Sequence, residues 1–300
     1  MEFSVQVLGC GSALPTINRH PSAQLVKHRN KYFLVDCGEG TQLQLRRYKA
    51  KMQSIGHIFI SHLHGDHYFG LVGFISTMHL LGRTEELNVY SPAGLEEIIR
   101  IQIDSKSLRF ALKFHIVKKG GQLLYEDKKL KVETIPLLHR IPCFGYLFKE
   151  KEKERKLMPE KLEEYDVPIH YRNRIKSGED FVNSEGQIIP KELMSYEAEA
   201  SKSYAYCSDT IFRPQIVDYI KNADLLYHEA TFQEDLRKRA KKTFHSTAKE
   251  AATIAKNAEV GELLMGHFSS RYTNEGGFLV EAREVFANSH IAEEGKIYNV

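Results

Sequence analysis

Between Ser61 and Tyr68 the chain reads His62-Leu63-His64-Gly65-Asp66-His67, three imidazoles and a carboxylate within six residues. Nitrogen and oxygen donors at this density suit zinc or a similar divalent ion. An exposed polar turn or a set of satisfied core histidines would explain the residue types but not the clustering, because like charges so close repel unless a cation compensates them. The run is read as a metal site. Two ions need about seven or eight ligand contacts, more than the run supplies. Three further donors each close a strand-like stretch: His139 after 131–135, Asp209 after Tyr204-Ala205-Tyr206-Cys207-Ser208, and His267 after Leu263-Leu264-Met265-Gly266. Any one alone would more often be structural. Together, in a chain already holding His62 to His67, they complete the set.

The elements that must carry these residues alternate along the chain. His57-Ile58-Phe59-Ile60-Ser61 is β-branched and aromatic, as a short strand is, and 68–81 has a helical pattern, so the cluster falls on a strand-to-helix loop. Further strands are predicted over 3–8, 32–35, 86–90, 129–135, 204–207, 224–227 and 262–265. Helices are predicted over 93–105, 213–221, 247–258 and 277–287. Strands and helices mixed throughout imply an α/β protein, with sheets covered by helices. No repeat at a solenoid period occurs.

Composition narrows the class further. Hydrophobic residues make up 42% and charged residues 27% of 300, enough for a sizeable core and too apolar for global disorder. No run approaches the length of a membrane span, and Met1-Glu2-Phe3-Ser4 lacks the basic start of a secretory signal. Cys10, Cys37, Cys143 and Cys207 are scattered without a Cys-x-x-Cys pair, which fits a reducing cytoplasm. A net charge of +3 does not itself argue for nucleic acid, so local clustering must. Residues 149–176 hold nine Lys or Arg against seven Asp or Glu, and 149–156 alternate Lys-Glu-Lys-Glu-Lys-Glu-Arg-Lys. Such a segment is either a solvated stretch laced with ion pairs or a protruding arm. Strand-like residues on both sides favour an excursion from a single domain, 1–300.

The Ser-His-Leu-His-Gly-Asp-His run, with later His, Asp and His, resembles the metallo-β-lactamase superfamily. More closely the chain is similar to the tRNase Z family, endonucleases that mature the 3′ end of transfer RNA. The similarity runs from Leu8-Gly9-Cys10-Gly11-Ser12 through Asp36-Cys37-Gly38-Glu39-Gly40-Thr41-Gln42 to His267-Phe268-Ser269-Ser270-Arg271-Tyr272. His228-Glu229-Ala230-Thr231, His245-Ser246-Thr247 and the charged insertion separate this family from its cousins. The resemblance implies an αββα sandwich with two Zn2+ per subunit at one edge, although Mn2+ or Fe2+ suit the same donors. It assigns His62, His64 and His139 to one ion, Asp66, His67 and His267 to the other, and Asp209 to both. Asp36 would orient a ligand by hydrogen bonding.

The same resemblance implies that 3′ trailers are removed from precursor tRNA, leaving a 3′ hydroxyl on the tRNA and a 5′ phosphate on the trailer. Asp66 would orient the nucleophilic water, whose pKa a zinc ion lowers to about 7. His245, held in its tautomer by Glu229, would protonate the leaving oxygen; taken alone, it could merely precede the helix near Thr247. Arg237-Lys238-Arg239-Ala240-Lys241-Lys242 is the densest basic run, with Arg46-Arg47-Tyr48-Lys49-Ala50-Lys51 a weaker one, and both suit phosphate contact. The insertion 149–202 resembles the family's flexible RNA-binding arm, and a homodimer is expected, one subunit's arm presenting RNA to the other's metals. Two departures stand out. The arm keeps only the proline of a Gly-Pro pair, in Asp166-Val167-Pro168-Ile169-His170, and Pro15-Thr16-Ile17-Asn18-Arg19-His20 lacks the lysine and asparagine of the family's Pro-x-Lys-x-Arg-Asn loop. The alternative function keeps the fold and hydrolyses small phosphodiesters or thioesters. A non-catalytic RNA-binding module would have lost ligands, and none of the seven is missing.

Overall fold

Period-two alternation gives the strands two apolar faces, and both are used. In Ser203–Cys207 the side chains of Tyr204 and Tyr206 point one way and those of Ala205 and Cys207 the other, all buried. The computed structural model describes residues 3–104 and 106–300. Met1 and Glu2, part of the start-of-chain reading, and Ser105, the end of the helix expected over 93–105, lie outside the described residues. The chain divides into two compact units: 1–125 with 132–148 and 203–300, and 149–202 with 126–131.

The larger unit is built on two seven-stranded sheets. One runs, edge to edge, Ile297–Asn299, Phe3–Gly9, Ala23–His28, Lys31–Val35, Ile55–Phe59, Leu87–Ser91, Leu112–Ile116. The other runs Ser289–Ile291, Glu262–Gly266, Leu225–Glu229, Ser203–Cys207, Phe144–Glu150, Leu130–Pro136, Leu123–Glu126. The inner faces meet through aromatic rings: Phe59 lies 5.2 Å from Tyr146 and 5.5 Å from Phe148, and Phe33 lies 5.7 Å from Phe148. Edge-to-face pairs of this kind add about 0.5–1.5 kcal/mol each beyond the area they bury. Hydroxyls on the inner face reach across. Tyr146 donates to the carbonyl of Ile60 at 2.6 Å, Tyr204 donates to Gln24, and Tyr206 donates to Asp36 at 2.6 Å. The outer faces are covered by helices. Leu34, Ile58 and Val89 pack under Thr41–Arg47, Leu71–Leu80 and Leu95–Gln102, while Ala205, Leu226 and Leu263 pack under Ala248–Asn257 and Gly276–Arg283. The layers are therefore helix, sheet, sheet, helix.

Parallel pairing sets the edge where chemistry can gather. Lys31–Val35, Ile55–Phe59 and Leu87–Ser91 run parallel, as do Ser203–Cys207, Leu225–Glu229 and Glu262–Gly266. Asp36, Ser61, Asp209, Glu229 and His267 all lie at or just past the carboxyl ends of these strands. The helix expected over 68–81 is two helices, Gly65–Tyr68 and Leu71–Leu80. The break falls where the Asp36-Cys37-Gly38 turn presses on it: Gly70 N–H donates to Cys37 O at 2.9 Å, and a Cβ on Gly70 would lie 2.2 Å from Gly38 O. Ala248–Asn257 begins where expected, with a Thr247–Glu250 capping box that is worth on the order of 1 kcal/mol.

The smaller unit has a core of its own. Its apolar residues, sparse in sequence, gather as Leu162, Val167, Ile175, Phe181, Ile189 and Met194, with Leu157, Tyr165 and Tyr171 around them. Two short antiparallel pairs, Lys156–Leu157 with Ser195–Tyr196 and Phe181–Val182 with Ile188–Ile189, frame the helices Pro159–Glu164 and Arg172–Lys176. The alternating charges remain outside as local pairs, among them Lys161–Glu164 at 2.6 Å and Arg174–Glu179 at 2.6 Å.

Candidate metal centre

Donor atoms from four loops converge on Asp209, whose two oxygens face two different groups. Oδ2 lies 3.5 Å from His62 Nε2 and 3.9 Å from His139 Nε2, and His64 Nδ1 lies 3.0 and 3.2 Å from those two nitrogens. Oδ1 lies 3.3 Å from His67 Nε2 and 3.1 Å from His267 Nε2, which are themselves 3.4 and 3.5 Å from Asp66 Oδ2. Bonds of 2.0–2.1 Å at tetrahedral angles put neighbouring donors about 3.3–3.4 Å apart. The observed edges match that spacing. The groups His62, His64, His139, Asp209 and Asp66, His67, His267 are each close enough to hold an ion.

Each imidazole is turned by what its other nitrogen does. His67 Nδ1–H donates to Asp36 Oδ2 at 2.8 Å, His267 Nδ1–H to Thr231 Oγ1 at 2.9 Å, His139 Nδ1–H to the Phe244 carbonyl at 2.9 Å, and His62 Nδ1–H to Ser61 Oγ at 3.0 Å. These bonds fix the tautomers and leave Nε2 lone pairs aimed inward. The Nε2 atoms of His67 and His267 are buried without a hydrogen-bond partner, a state that costs free energy unless something else meets them. Asp36 is itself held by Ser61 N–H at 2.7 Å, Ser61 Oγ at 2.9 Å and Tyr206 Oη. Asp66 Oδ2 accepts from the Ala13 amide at 2.8 Å, and the strand Gly11–Ser12 that positions Ala13 pairs with Phe268–Ser269 beyond His267.

The electrostatics call for cations. Burial works to raise Asp209, yet His267, His67 and His62 pull it well below the carboxylate range. Asp66 behaves likewise: burial is outweighed by His67 and His267, and its pKa is depressed. His67 is the mirror image, since burial lowers it but Asp66, Asp209 and Asp36 lift it well above the usual imidazole value. His62 is lowered, first by burial and then by the neighbouring His67. A site so dense in carboxylate and imidazole is suited to divalent metal.

His245 stands beside this cluster. Its ring lies 5.1 Å from His139 and 5.4 Å from His267, and its Nδ1–H donates to Glu229 Oε1 at 2.9 Å. Glu229 is fully buried and also accepts from Thr210 N–H at 2.9 Å, Thr231 N–H at 3.1 Å and Thr231 O–H at 2.6 Å. Burial tends to lower His245, but the charge and hydrogen bond of Glu229, helped by Asp209 and Asp66, raise its pKa to about 9. His245 keeps its other nitrogen free at a cleft of about 520 Å³ that Asp66, His64, His139 and Asp209 also line. All eight residues singled out with Asp66, and Asp36 besides, thus meet at one sheet edge. His228, from the same motif as Glu229, does not join them. It alternates to the other face of its strand, where its Nδ1 contacts the Glu229 carbonyl at 2.7 Å.

A chain 49% identical, over 98% of this one and 94% of its own length, is the Ribonuclease Z of Bacteroides thetaiotaomicron. The chain belongs to the ribonuclease Z family. The crystal structure of human tRNase Z, short form, superposes with a TM-score of 0.70 at 26% identity, covering 99% of both chains. The metallo-β-lactamase-fold protein YhfI from Bacillus subtilis superposes at 0.72 with 21% identity over 99% of both, a likeness of fold. Residues 3–278 also match the family described as Anti-Pycsar protein Apyc1. The fold is that of the metallo-β-lactamases. Within this ribonuclease Z-family chain, Thr231 was not expected at the site, although it ties His267 and His245 to Glu229. Nor were four side-chain-bearing residues at left-handed φ: Ala13 at 55°, Asp36 at 55°, Phe244 at 61° and His267 at 59°. Such conformations are unfavourable away from glycine and collect at functional sites. Among the described residues no helix is long and apolar enough to cross a membrane.

Proposed function

We propose that the chain is a metal-dependent endoribonuclease that removes the 3′ trailer from precursor tRNA, leaving a 3′ hydroxyl on the tRNA and a 5′ phosphate on the trailer. Near-full-length membership of the ribonuclease Z family carries this reading, and the paired donor groups sharing Asp209 support it. His62, His64, His139 and Asp209 would hold one ion, and Asp66, His67, His267 and Asp209 the other, zinc being the natural choice for these donors. When bound, such a pair supplies an acidified water and neutralises phosphate oxygens. The chain's own residues do the rest. Asp66, fixed by the Ala13 amide, orients the attacking side. His245, protonated through Glu229, presents Nε2–H to the leaving 3′ oxygen.

The exposed face of the helix Arg237–Thr243 lies just before His245 and suits phosphates, although Arg237 is engaged by Glu234 and Glu250 at 3.3 and 3.2 Å. Residues 149–202 would serve as the RNA-binding arm, with Arg172 and Lys176 on it suited to the tRNA backbone and Arg174 engaged by Glu179 at 2.6 Å. A homodimer suits an arm that serves a partner's site, and four buried, unbridged cysteines suit the cytoplasm. The test is a metal-loaded incubation with a 3′-extended precursor, mapped at nucleotide resolution, with Asp66→Ala as control. One metal-dependent cut after the discriminator, absent in the control, supports the reading. No cut by protein retaining two metals would favour the second reading, hydrolysis of small phosphodiesters or thioesters.

A further inference from the structure

Beyond its four histidines, the cleft over the donor cluster is lined by acidic, small polar and apolar side chains, and of its lining residues Arg140 is the one lysine or arginine. It directly follows His139 and is exposed. Its Nη2 donates to the Lys242 carbonyl at 3.4 Å, which sets the guanidinium beside the end of the helix Arg237–Thr243, three residues before His245. No carboxylate forms an ion pair with it among the described residues. Other arginines bordering the same region are committed, Arg19 to Glu275 at 3.4 Å and Arg237 to Glu234 and Glu250. A planar fork of N–H donors with spare capacity, facing a site for phosphodiesters, is suited to a phosphate.

The position of Arg140 also says which phosphate. This step rests on the endoribonuclease reading above. His245 protonates the 3′ oxygen of the nucleotide that the RNA body keeps, so that nucleotide lies on the His245 side of the cleft. Arg140 is on the same side, since its neighbour His139 has its ring 5.1 Å from that of His245. Among the other lining residues, Ala13, which bonds to Asp66 of the second donor group, Pro15 and the exposed ring of Phe69 form an apolar lip with no cation. We infer that Arg140 grips the phosphate immediately 5′ of the last retained nucleotide, one position upstream of the scissile phosphate, and so sets the register of the cut. The trailer then leaves over the apolar lip.

The test compares wild type, Arg140→Ala and Arg140→Lys on a 3′-extended tRNA precursor, on the same precursor with a neutral methylphosphonate at that upstream position, and on a small chromogenic phosphodiester. Hydrogen bonds to charged groups correspond to about a tenfold to hundredfold change. Arg140→Ala should therefore lose that much kcat/KM on the native precursor, Arg140→Lys less, and both should keep the small phosphodiester within about twofold and retain full metal content. The methylphosphonate should cost wild type a similar factor and Arg140→Ala nothing further. Full activity of Arg140→Ala on the precursor, additive losses from the variant and the methylphosphonate, or equal losses on the small substrate would each overturn the inference. The last would instead make Arg140 a support for His139. Failure of wild type to cut the native precursor would sink the endoribonuclease reading itself, and is distinguishable from all of these.

Discussion

One strand, Ile55–Phe59, carries a histidine at its centre and leads into others just past its carboxyl end, and the two positions have opposite fates. His57 packs among Tyr125, Phe33 and Tyr90, with ring distances of 4.6, 5.6 and 6.0 Å, and its nearest polar partner is the Tyr90 hydroxyl at 3.3 Å. Burial, followed by the nearby Lys31 and His115, lowers its pKa to about 4 despite a small opposing pull from Glu86. It behaves as one more half-buried ring in an aromatic cluster. Beyond the strand's carboxyl end, His62 and His67 are fully buried, more so than the half-buried His57, yet Asp36, Asp66 and Asp209 are within reach. Greater burial alone would only make His62 and His67 poorer hosts for charge; what sets them apart is the carboxylates that the carboxyl ends of neighbouring parallel strands bring to them.

The sharpest way to break this contrast is to remove the carboxylate that both donor groups share. Asp209→Ala should drop metal content below one ion per chain, measured by elemental analysis, and lower turnover by roughly three orders of magnitude or more. Turnover within tenfold of wild type would show that the two groups do not act as one centre.

Next in size is His245. His245→Ala should lower kcat by about a hundredfold to ten-thousandfold while metal content stays intact. As a general acid it works only while protonated, so with a pKa near 9 the activity of the wild type should fall as pH rises through about 9. Glu229 is the chief upward influence on that value, hence Glu229→Gln should move the alkaline limb to lower pH. A limb that stays put or moves up would remove Glu229 from this role. A smaller loss is expected for Asp36→Asn, which weakens the acceptor of His67 Nδ1 but keeps its size. Metal affinity should fall about tenfold to a hundredfold by competition with a chelator, and unchanged affinity would make Asp36 a purely structural residue.

The sequence revealed the donors and the bonds that aim them unequally. The ligands were legible because their chemistry is local and rare: few other purposes crowd His62, His64, Asp66 and His67 together, and His139, Asp209 and His267 each follow a strand. The bonds that aim them were not. Thr231 closes the motif His228-Glu229-Ala230-Thr231, but its role runs through contacts 14 and 36 residues away in sequence, and nothing in Ala13 or Phe244 marks their left-handed φ in advance. Edge strands escaped for a related reason. Leu112–Ile116 has a half-exposed, weakly alternating pattern, so it reads as loop until its parallel partner Leu87–Ser91 supplies the ladder. In 149–202 the apolar residues fall at irregular spacing among charges, and only tertiary packing turns Leu162, Ile175, Phe181 and Met194 into a core.

The smallest expected effect belongs to His57, and it completes the comparison from the other side. If His57 serves only as a ring in its aromatic cluster, His57→Phe should leave metal content and turnover within about twofold of wild type while changing how stability responds to acid. The folded-state pKa lies near 4, below the ordinary value of 6.5. Below about pH 6.5 the unfolded chain therefore takes up a proton that the folded chain refuses, and wild type loses stability progressively down to about pH 4. Phenylalanine has no proton to take up. The melting temperature of His57→Phe relative to wild type should consequently rise as pH falls across that window and be flat above it. A difference independent of pH would mean that His57 is charged or solvated in the folded protein, and that burial without carboxylates is not what separates it from His62 and His67.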